Sequence, residues 1–437
     1  MHFLVKPAAL RSGSLAVPGD KSISHRALML GAIADGESSV SGFLQGDDCK
    51  ATLAALRAMG AEVDVPEPTT LRISGAGMRG LRQPMTTLDM GNSGTAMRLF
   101  SGLLCGHPFT TTLMGDASLM RRPMKRVIEP LSRMGARIDS NDGLPPLTIH
   151  GGQSLAGIHY FLPVASAQVK SAILLAGLYA DAETSVVEPA PTRDHTERML
   201  QFMGVELQAE DGRIRMRGGQ TLRSADILVP GDLSSAAFAI LGALLAADCE
   251  LLIKGVGMNP TRTGIIEILR QMGAAIEVEN FGSAGLEPVA DLRVRSSVLS
   301  AIDVDPALVS LAIDEFPILF IAAATARGRT RFSGIGELRV KESDRISAMA
   351  DGLRRLGIKV QEFPDGASVV GGRFTGGVVE SHGDHRVAMS FAVAGTVADA
   401  PVTVLDTDAV DTSFPGFADL MRSVGADIRV SFGRPSA

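Results

Sequence analysis

Tryptophan is absent from the 437-residue chain, and tyrosine occurs only as Tyr160 and Tyr179. That scarcity removes the aromatic platform on which unpaired bases stack, and argues against a nucleic-acid partner. Cysteine is scarce too. Cys49, Cys105 and Cys249 are odd in number and far apart in the sequence, which predicts buried, reduced thiols instead of a disulfide framework or zinc site. Basic residues do not dominate: 42 Lys and Arg stand against 48 Asp and Glu, a formal charge of −6. Affinity for an anion must therefore come from a local cluster. The opening MHFLVKPAALRSG lacks the apolar core of a secretory signal, and no apolar run reads as reaching the ~20 residues that span a bilayer. A cytoplasmic chain with no membrane partner is expected. With 45% hydrophobic and 21% charged residues, disorder is not indicated, and the length predicts two domains.

What is present is repetition. LRAMGAEV, LSRMGARI, LQFMGVEL, LRQMGAAI, LRRLGIKV and MRSVGADI are variants of one string, with Gly60, Gly135, Gly204, Gly273, Gly357 and Gly425 spaced 68 to 84 residues apart. Each reads as a helix stopped by glycine and followed by a strand. A second series starts polar and turns rich in Ala, Gly, Leu and Met, beginning near residues 20, 91, 165, 231, 313 and 383. Small residues all round a helix predict burial inside a domain. Each unit thus resembles a βαβ block, and six units nearly exhaust the chain.

VPGD occurs twice, at Val17–Asp20 and again 212 positions later at Val229–Asp232. The doubling predicts an α/β protein of two domains with three units each: residues 20–230, and residues 1–19 together with 231–437. The two copies would be hinge crossovers near 17–20 and 229–232.

Cations gather where the second series begins: Lys21, Arg26, Arg98, Lys170, and Arg386 beside His385. Connecting segments add Arg121, Arg122, Lys125 and Arg126 in RRPMKR, Arg193 in TRDH, and Lys341 and Arg345 in RVKESDR. If equivalent helices point the same way, their N-termini share one face, and free N–H groups and positive dipole ends there favour anions. Arg grips carboxylate or phosphate with a fork, while Lys supplies a compact charge that can exchange a proton. Asp314, Glu315, Glu342 and Asp344 sit among these cations as candidate acid and base, or as braces for neighbouring arginines. GAGMRG at 75–80 fits a dinucleotide fingerprint only weakly, because LRQP follows where a helix should begin. GNSGTAMR at 91–98 is a turn opening a helix without a P-loop ending. The eight histidines show no metal-ligand spacing, so no metal is expected.

Eight ordered stretches, PGDKSISHR, GNSGTAMR, RRPMKR, ASAQVKSA, TRDHTE, IDEFP, RVKESDR and GDHRVAMS, resemble the signatures of the 5-enolpyruvylshikimate-3-phosphate synthase family across nearly the whole chain. The resemblance implies a two-domain inside-out α/β barrel, each domain three βαβαββ repeats with buried parallel helices, closing over a cleft. It implies enolpyruvyl transfer from phosphoenolpyruvate to the 5-hydroxyl of shikimate 3-phosphate, without metal or cofactor, and a monomer is expected. Carried over by position, Lys21 touches both substrates and assists proton transfer. Ser22, Arg26, Ser166, Ala167, Gln168, Arg193, Asp314 and Lys341 resemble the shikimate-phosphate contacts. Asn92, Gly94, Arg122, Gln168, Arg345 and Arg386 resemble the phosphoenolpyruvate contacts, with His385 adjacent. Asp314 resembles the base and Glu342 the acid. Ala167, Arg193 and Thr412 depart from some relatives, where Ser, Tyr and Lys occur. The alternatives are a sister transferase acting on UDP-N-acetylglucosamine, a phospholigand-binding protein without catalysis, and, more distantly, an RNA-end-processing relative.

Overall fold

The computed structural model describes residues 1–285 and 287–433. Six helices match the six small-residue segments: α1 (Lys21–Ile33), α2 (Gly94–Leu104), α3 (Ala167–Gly177), α4 (Leu233–Leu245), α5 (Phe316–Thr325) and α6 (His385–Thr396). Their small residues permit close approach. A Cβ added to Gly102 of α2 would lie 2.1 Å from the Ala172 carbonyl oxygen of α3. All 12 residues of α6 are buried, so no polar face exists to orient it toward water. Each Leu, Ile or Phe so buried contributes about 1.5–3 kcal/mol.

A second set of helices, Asp47–Ala58, Lys125–Arg133, His195–Phe202, Gly264–Gln271, Arg345–Arg355 and Phe417–Ser423, stops two residues before the six repeat glycines. All six glycines have φ between 85° and 108°, the left-handed geometry that ends a helix and that a Cβ disfavours. The repeat signature is therefore a backbone requirement.

The chain divides into two compact units. One comprises Gly19–Val229 with Ala284, Gly285 and Glu287. Three sheets surround α1, α2 and α3 in it, each built on one plan of a parallel pair followed by two antiparallel strands. In the second sheet Leu88–Asp89 pairs parallel with Thr111–Met114, then come Leu144–His150 and Arg137–Asn141. The third repeats this with His159–Phe161, Glu183–Val187, Arg213–Arg217 and Leu207–Glu210. The first sheet takes its leading strand, Asp226–Leu228, from the far end of the unit, parallel to Asp35–Ser41. That pairing closes the unit on itself.

The other unit comprises Met1–Pro18, Pro230–Ser283 and the described residues from Pro288 onward. Here the N-terminal strands are absorbed into distant repeats: Gly13–Ala16 lies parallel to Glu250–Gly257, and His2–Lys6 lies between Val402–Leu405 and Asp427–Ser431. The fifth repeat has only three strands, Arg329–Ser333, Gly366–Val370 and Lys359–Phe363. Isolated bridges from Ser300 and Asp303 stand in its fourth place. The units meet one residue away from the expected 20–230 and 1–19 plus 231–437 at each crossover, and Ala284, Gly285 and Glu287 group with the first unit, which was not anticipated.

Both VPGD copies make the same local structure. Asp20 (φ −60°, ψ 123°) and Asp232 (φ −70°, ψ 118°) are extended N-cap residues whose side chains accept backbone hydrogen bonds from the helices they open. A Cβ on Gly19 would lie 1.8 Å from the Gly42 carbonyl oxygen, so only glycine fits there.

The six sheets remain separate among the described residues, and in each unit helices lie within and sheets without, as expected. One expectation needs correction. The helical run Pro306–Thr325, with mean hydropathy 1.9, is long and apolar enough by composition to cross a membrane, contrary to the sequence reading. It carries Asp314 and Glu315 at its middle, and 67% of it is buried inside the protein, as a core helix would be.

Candidate active site

In the unit built on α1, α2 and α3, the first turns of the three helices meet. The Asp20 carboxylate accepts from Ile23 N at 2.9 Å, and Ser93 and Ser166 cap α2 and α3 in the same way. From α1, Arg26 donates through Nε to Thr196 Oγ1 at 2.6 Å and through Nη2 to Ser171 Oγ of α3 at 2.7 Å, with Nη1 on the Ser22 carbonyl at 2.9 Å. His25 Nδ1 is hydrogen-bonded to Thr52 Oγ1 at 2.7 Å, and its Nε2 lies 3.5 Å from Ser93 Oγ. Between α2 and α3, Gln168 accepts from Arg98 Nη1 at 2.7 Å and donates to Thr95 Oγ1 at 2.9 Å. These contacts require the three helices to point the same way.

Arg122 is the one buried cation of RRPMKR. It donates to the Asn92 carbonyl at 3.1 Å, to Asn92 Oδ1 at 2.5 Å and to Ser118 Oγ at 3.1 Å, while Asn92 donates to Asp116 at 2.7 Å. Arg121, Lys125 and Arg126 are exposed. A Cβ on Gly94 would lie 2.9 Å from Arg98 Nη1 and 3.4 Å from Arg122 Nη1, so the bare glycine leaves room beside two guanidinium groups. Lys21 Nζ is 3.0 Å from Asp48 Oδ2.

In the other unit a single buried guanidinium gathers the acids. Arg345 donates through Nε to Asp384 Oδ2 at 2.8 Å, through Nη2 to Glu342 Oε2 at 2.6 Å, and through Nη1 to Asp314 Oδ1 at 3.4 Å. Lys341 Nζ is 3.4 Å from the same Asp314 oxygen. Asp384 also caps α6 by accepting from Arg386 N at 2.7 Å. Glu315 accepts from Ser234 Oγ at the start of α4, and Arg386 Nη1 and Arg262 Nη2 lie 3.7 Å and 3.8 Å away. The tips of α4, α5 and α6 therefore also converge. None of the six buried helices has an acidic residue in its first turn, but the carboxylates of Asp20, Asp232 and Asp384 cap α1, α4 and α6; α2 and α3 are capped by the neutral Ser93 and Ser166, which leaves the positive ends of those two dipoles uncompensated by an acid.

Burial lowers the pKa of His25 to about 3, with Lys21 and then Arg26 adding repulsion; the ring is neutral. Burial also lowers Arg26 to about 10, opposed by Glu197 and Asp20, so its charge persists at neutral pH. For Asp384 burial pushes upward, but Arg345 overcomes it and holds the carboxyl below its usual range. Arg345 is itself raised, because Asp384, Glu342 and Asp314 together outweigh its desolvation.

The structure brings together Lys21, Ser22, Arg26, Asn92, Gly94, Arg122, Ser166, Ala167, Gln168 and Arg193 on one unit, and Asp314, Lys341, Glu342, Arg345 and Arg386 on the other. Lys170 is a correction. Grouped with the anion-facing cations, it is instead 1% exposed and paired with Glu188 and Glu197. Glu315 and Asp344 prove to be braces: Glu315 for Arg262 and Arg386, Asp344 for Arg339 at 2.7 Å. Sequence reasoning missed Asp384 as the partner of Arg345, and Arg262, which donates to Asp232 at 3.0 Å. An aspartate at a helix-capping position was the available signal for the first; MNPTRTG carries none for the second. All three cysteines are buried and none forms a disulfide, as expected. GAGMRG runs from a strand end into a loop, with no helix after it.

Fold and site together define an α/β protein of two units, each of which gathers buried cations at the tips of three packed helices. The EPSP synthase (3-phosphoshikimate 1-carboxyvinyltransferase) family matches residues 5–421. Similar proteins include the 3-phosphoshikimate 1-carboxyvinyltransferase of Alkalilimnicola ehrlichii, 56% identical across 97% of this chain and 96% of that relative. The one from Methylococcus capsulatus is also 56% identical, across 98% of each. A solved EPSP synthase from Acinetobacter baumannii superposes with a TM-score of 0.89 at 51% identity, covering 99% of this chain and 100% of that one. The chain belongs to the EPSP synthase family and is a transferase.

Proposed function

We infer that this chain transfers the enolpyruvyl group of phosphoenolpyruvate to the 5-hydroxyl of shikimate 3-phosphate, with release of inorganic phosphate. The observation that carries this reading is the Arg345 cluster, in which one buried guanidinium holds Asp314 and Glu342, two carboxylates of different assigned role. Asp314 takes the proton of the acceptor hydroxyl as its oxygen bonds to C2 of phosphoenolpyruvate. Glu342 delivers a proton to C3, which is what makes C2 electrophilic. Expelling phosphate from C2 then requires C3 to lose a proton again, which restores the double bond and balances the transfer. Lys21 serves both substrates as a mobile ammonium. No step calls for a metal or an organic cofactor.

Ser22, Arg26, Ser166, Ala167, Gln168, Arg193 and Lys341 are assigned to shikimate 3-phosphate. Asn92, Gly94, Arg122, Arg345 and Arg386 are assigned to phosphoenolpyruvate, whose phosphate suits the forked donors of arginine. Holding two mutually repelling anions supplies proximity and charge stabilisation at once. Gly94 is the position against which phosphoenolpyruvate, or the inhibitor glyphosate, would lie. We read the two units as two domains, with hinges near 17–20 and 229–232, in a cytoplasmic monomer; three buried thiols suit a reducing compartment.

The test is phosphate release from phosphoenolpyruvate with each candidate acceptor. Release with shikimate 3-phosphate is expected. Release with UDP-N-acetylglucosamine alone would overturn the assignment.

A further inference from the structure

Lys170 sits on α3 one residue before Ser171, and neither it nor its two acidic partners reaches solvent to any useful extent. Its side chain is 1% exposed, against 6% for Glu188 and 4% for Glu197. The ammonium lies 2.8 Å from Glu188 Oε2 and 2.7 Å from Glu197 Oε1, and 3.4 Å from the Thr192 carbonyl oxygen. Glu188 also accepts from the Thr192 hydroxyl. Thr192 directly precedes Arg193, so the backbone carrying that arginine is held from behind by Lys170 and Glu188. On its other side, Glu197 adjoins Thr196, whose hydroxyl takes the Arg26 Nε bond at 2.6 Å and shares a 2.7 Å bond with Ser171 Oγ.

Charge makes this arrangement sensitive. Two buried acids face one ammonium; burial raises Glu197 against the pull of Lys170, and the negative charge that Glu197 carries attracts Arg26. A cation drawn toward a buried acid has less of its field to offer a ligand. The lysine stays charged here because both glutamates outweigh its desolvation.

We propose that Lys170 is a positioning residue for the acceptor substrate: by offsetting part of the charge of Glu188 and Glu197 beneath the binding surface, it sets the orientation of Arg26 and Arg193 toward the acceptor's phosphate without touching it. This rests on the assignment of Arg26 and Arg193 to shikimate 3-phosphate made above. It predicts that two residues which never meet the substrate shift acceptor affinity in opposite directions according to their charge.

The experiment compares wild type, Lys170→Met, Glu197→Gln and the double variant, each checked for folding by circular dichroism. KM for each substrate and kcat come from phosphate release, and Kd for shikimate 3-phosphate from calorimetry. Lys170→Met is expected to raise the acceptor KM and Kd about tenfold, the equivalent of one decade in binding. The phosphoenolpyruvate KM and kcat should stay within about threefold of wild type. Glu197→Gln is expected to lower the acceptor Kd, and the double variant to return close to wild type. A merely structural role would move both single variants the same way and both substrates together. That outcome, or an unchanged acceptor Kd in folded Lys170→Met, overturns the proposal. Should Lys170→Met fail to fold, a rise in acceptor Kd for Glu197→Gln alone overturns it. Wild-type enzyme inactive toward shikimate 3-phosphate would instead overturn the functional reading, whatever the variants do.

Discussion

Arg345 and Asp384 form a two-pronged buried pair, Nε to Oδ2 at 2.8 Å and Nη2 to Oδ1 at 3.3 Å, with side-chain exposures of 1% and 0%. The same aspartate caps α6 through Arg386 N and Val387 N. One carboxylate thus orients two of the arginines assigned to phosphoenolpyruvate, one through its side chain and one through its backbone.

Replacing Asp384 with alanine should strip a buried guanidinium of its best partner, at a cost of about 3–5 kcal/mol, with loss of the helix cap adding about 1 kcal/mol. Urea denaturation of Asp384→Ala checks this; a midpoint within error of wild type would contradict the buried pair.

Asp314→Asn and Glu342→Gln keep shape and some hydrogen bonding while removing the base and the acid. Each should lower kcat by about 100- to 10,000-fold while shikimate 3-phosphate still binds by calorimetry. Turnover near wild type in either variant would mean the role was given to the wrong carboxylate.

Gly94→Ala places a methyl group 2.9 Å from Arg98 Nη1 and 3.4 Å from Arg122 Nη1. Only the Arg98 contact is too close, and it is with the end of a long side chain that can swing aside, so stability should change by less than about 1 kcal/mol. The methyl group, standing where phosphoenolpyruvate is assigned to lie, should raise KM for phosphoenolpyruvate more than KM for the acceptor. Equal changes in the two constants would count against the assignment of this glycine.

His25 and His107 are both buried as neutral rings, with pKa values lowered from 6.5 to about 3 and about 4. Between pH 6.5 and pH 4 the unfolded chain takes up protons at these two positions and the folded chain does not. Their joint effect is therefore absent above pH 6.5 and destabilises increasingly as pH falls, by about 1.4 kcal/mol per unit for each ring. Denaturation of His25→Gln across this window should show a shallower loss of stability than wild type. Parallel curves would mean that His25 is not held neutral.

Burial drives the Cys105 thiol up to about 12 and raises that of Cys249. Because the thiolate is the reactive form, a thiol reagent at pH 8 should label none of the three cysteines within minutes in the native protein, and all three in urea. Rapid native labelling would place a cysteine at the surface.

The helix-ending glycines were legible because their requirement is local. Gly60 and Gly425 must adopt φ of 85° and 108°, and a Cβ resists this whatever the rest of the chain does. The doubled VPGD was legible for a similar reason, since an aspartate before a helix caps it using atoms only two or three residues away. The separate crossing of the N-terminal strands into repeats more than 230 residues away left no local trace beyond that doubling.

The sequence by itself determined the periodic α/β plan, the places where helices begin and end, and the gathering of cations at those beginnings, because each follows from short-range sterics and patterning. Only the tertiary structure decided what each charge does. Lys170 and Arg345 look alike as isolated basic residues near helix starts, yet the first is neutralised by Glu188 and Glu197, and the second organises Asp314, Glu342 and Asp384. The difference arises from desolvation and from partners that, Glu342 apart, lie 18 to 39 residues away, and burial at that range depends on how whole repeats pack.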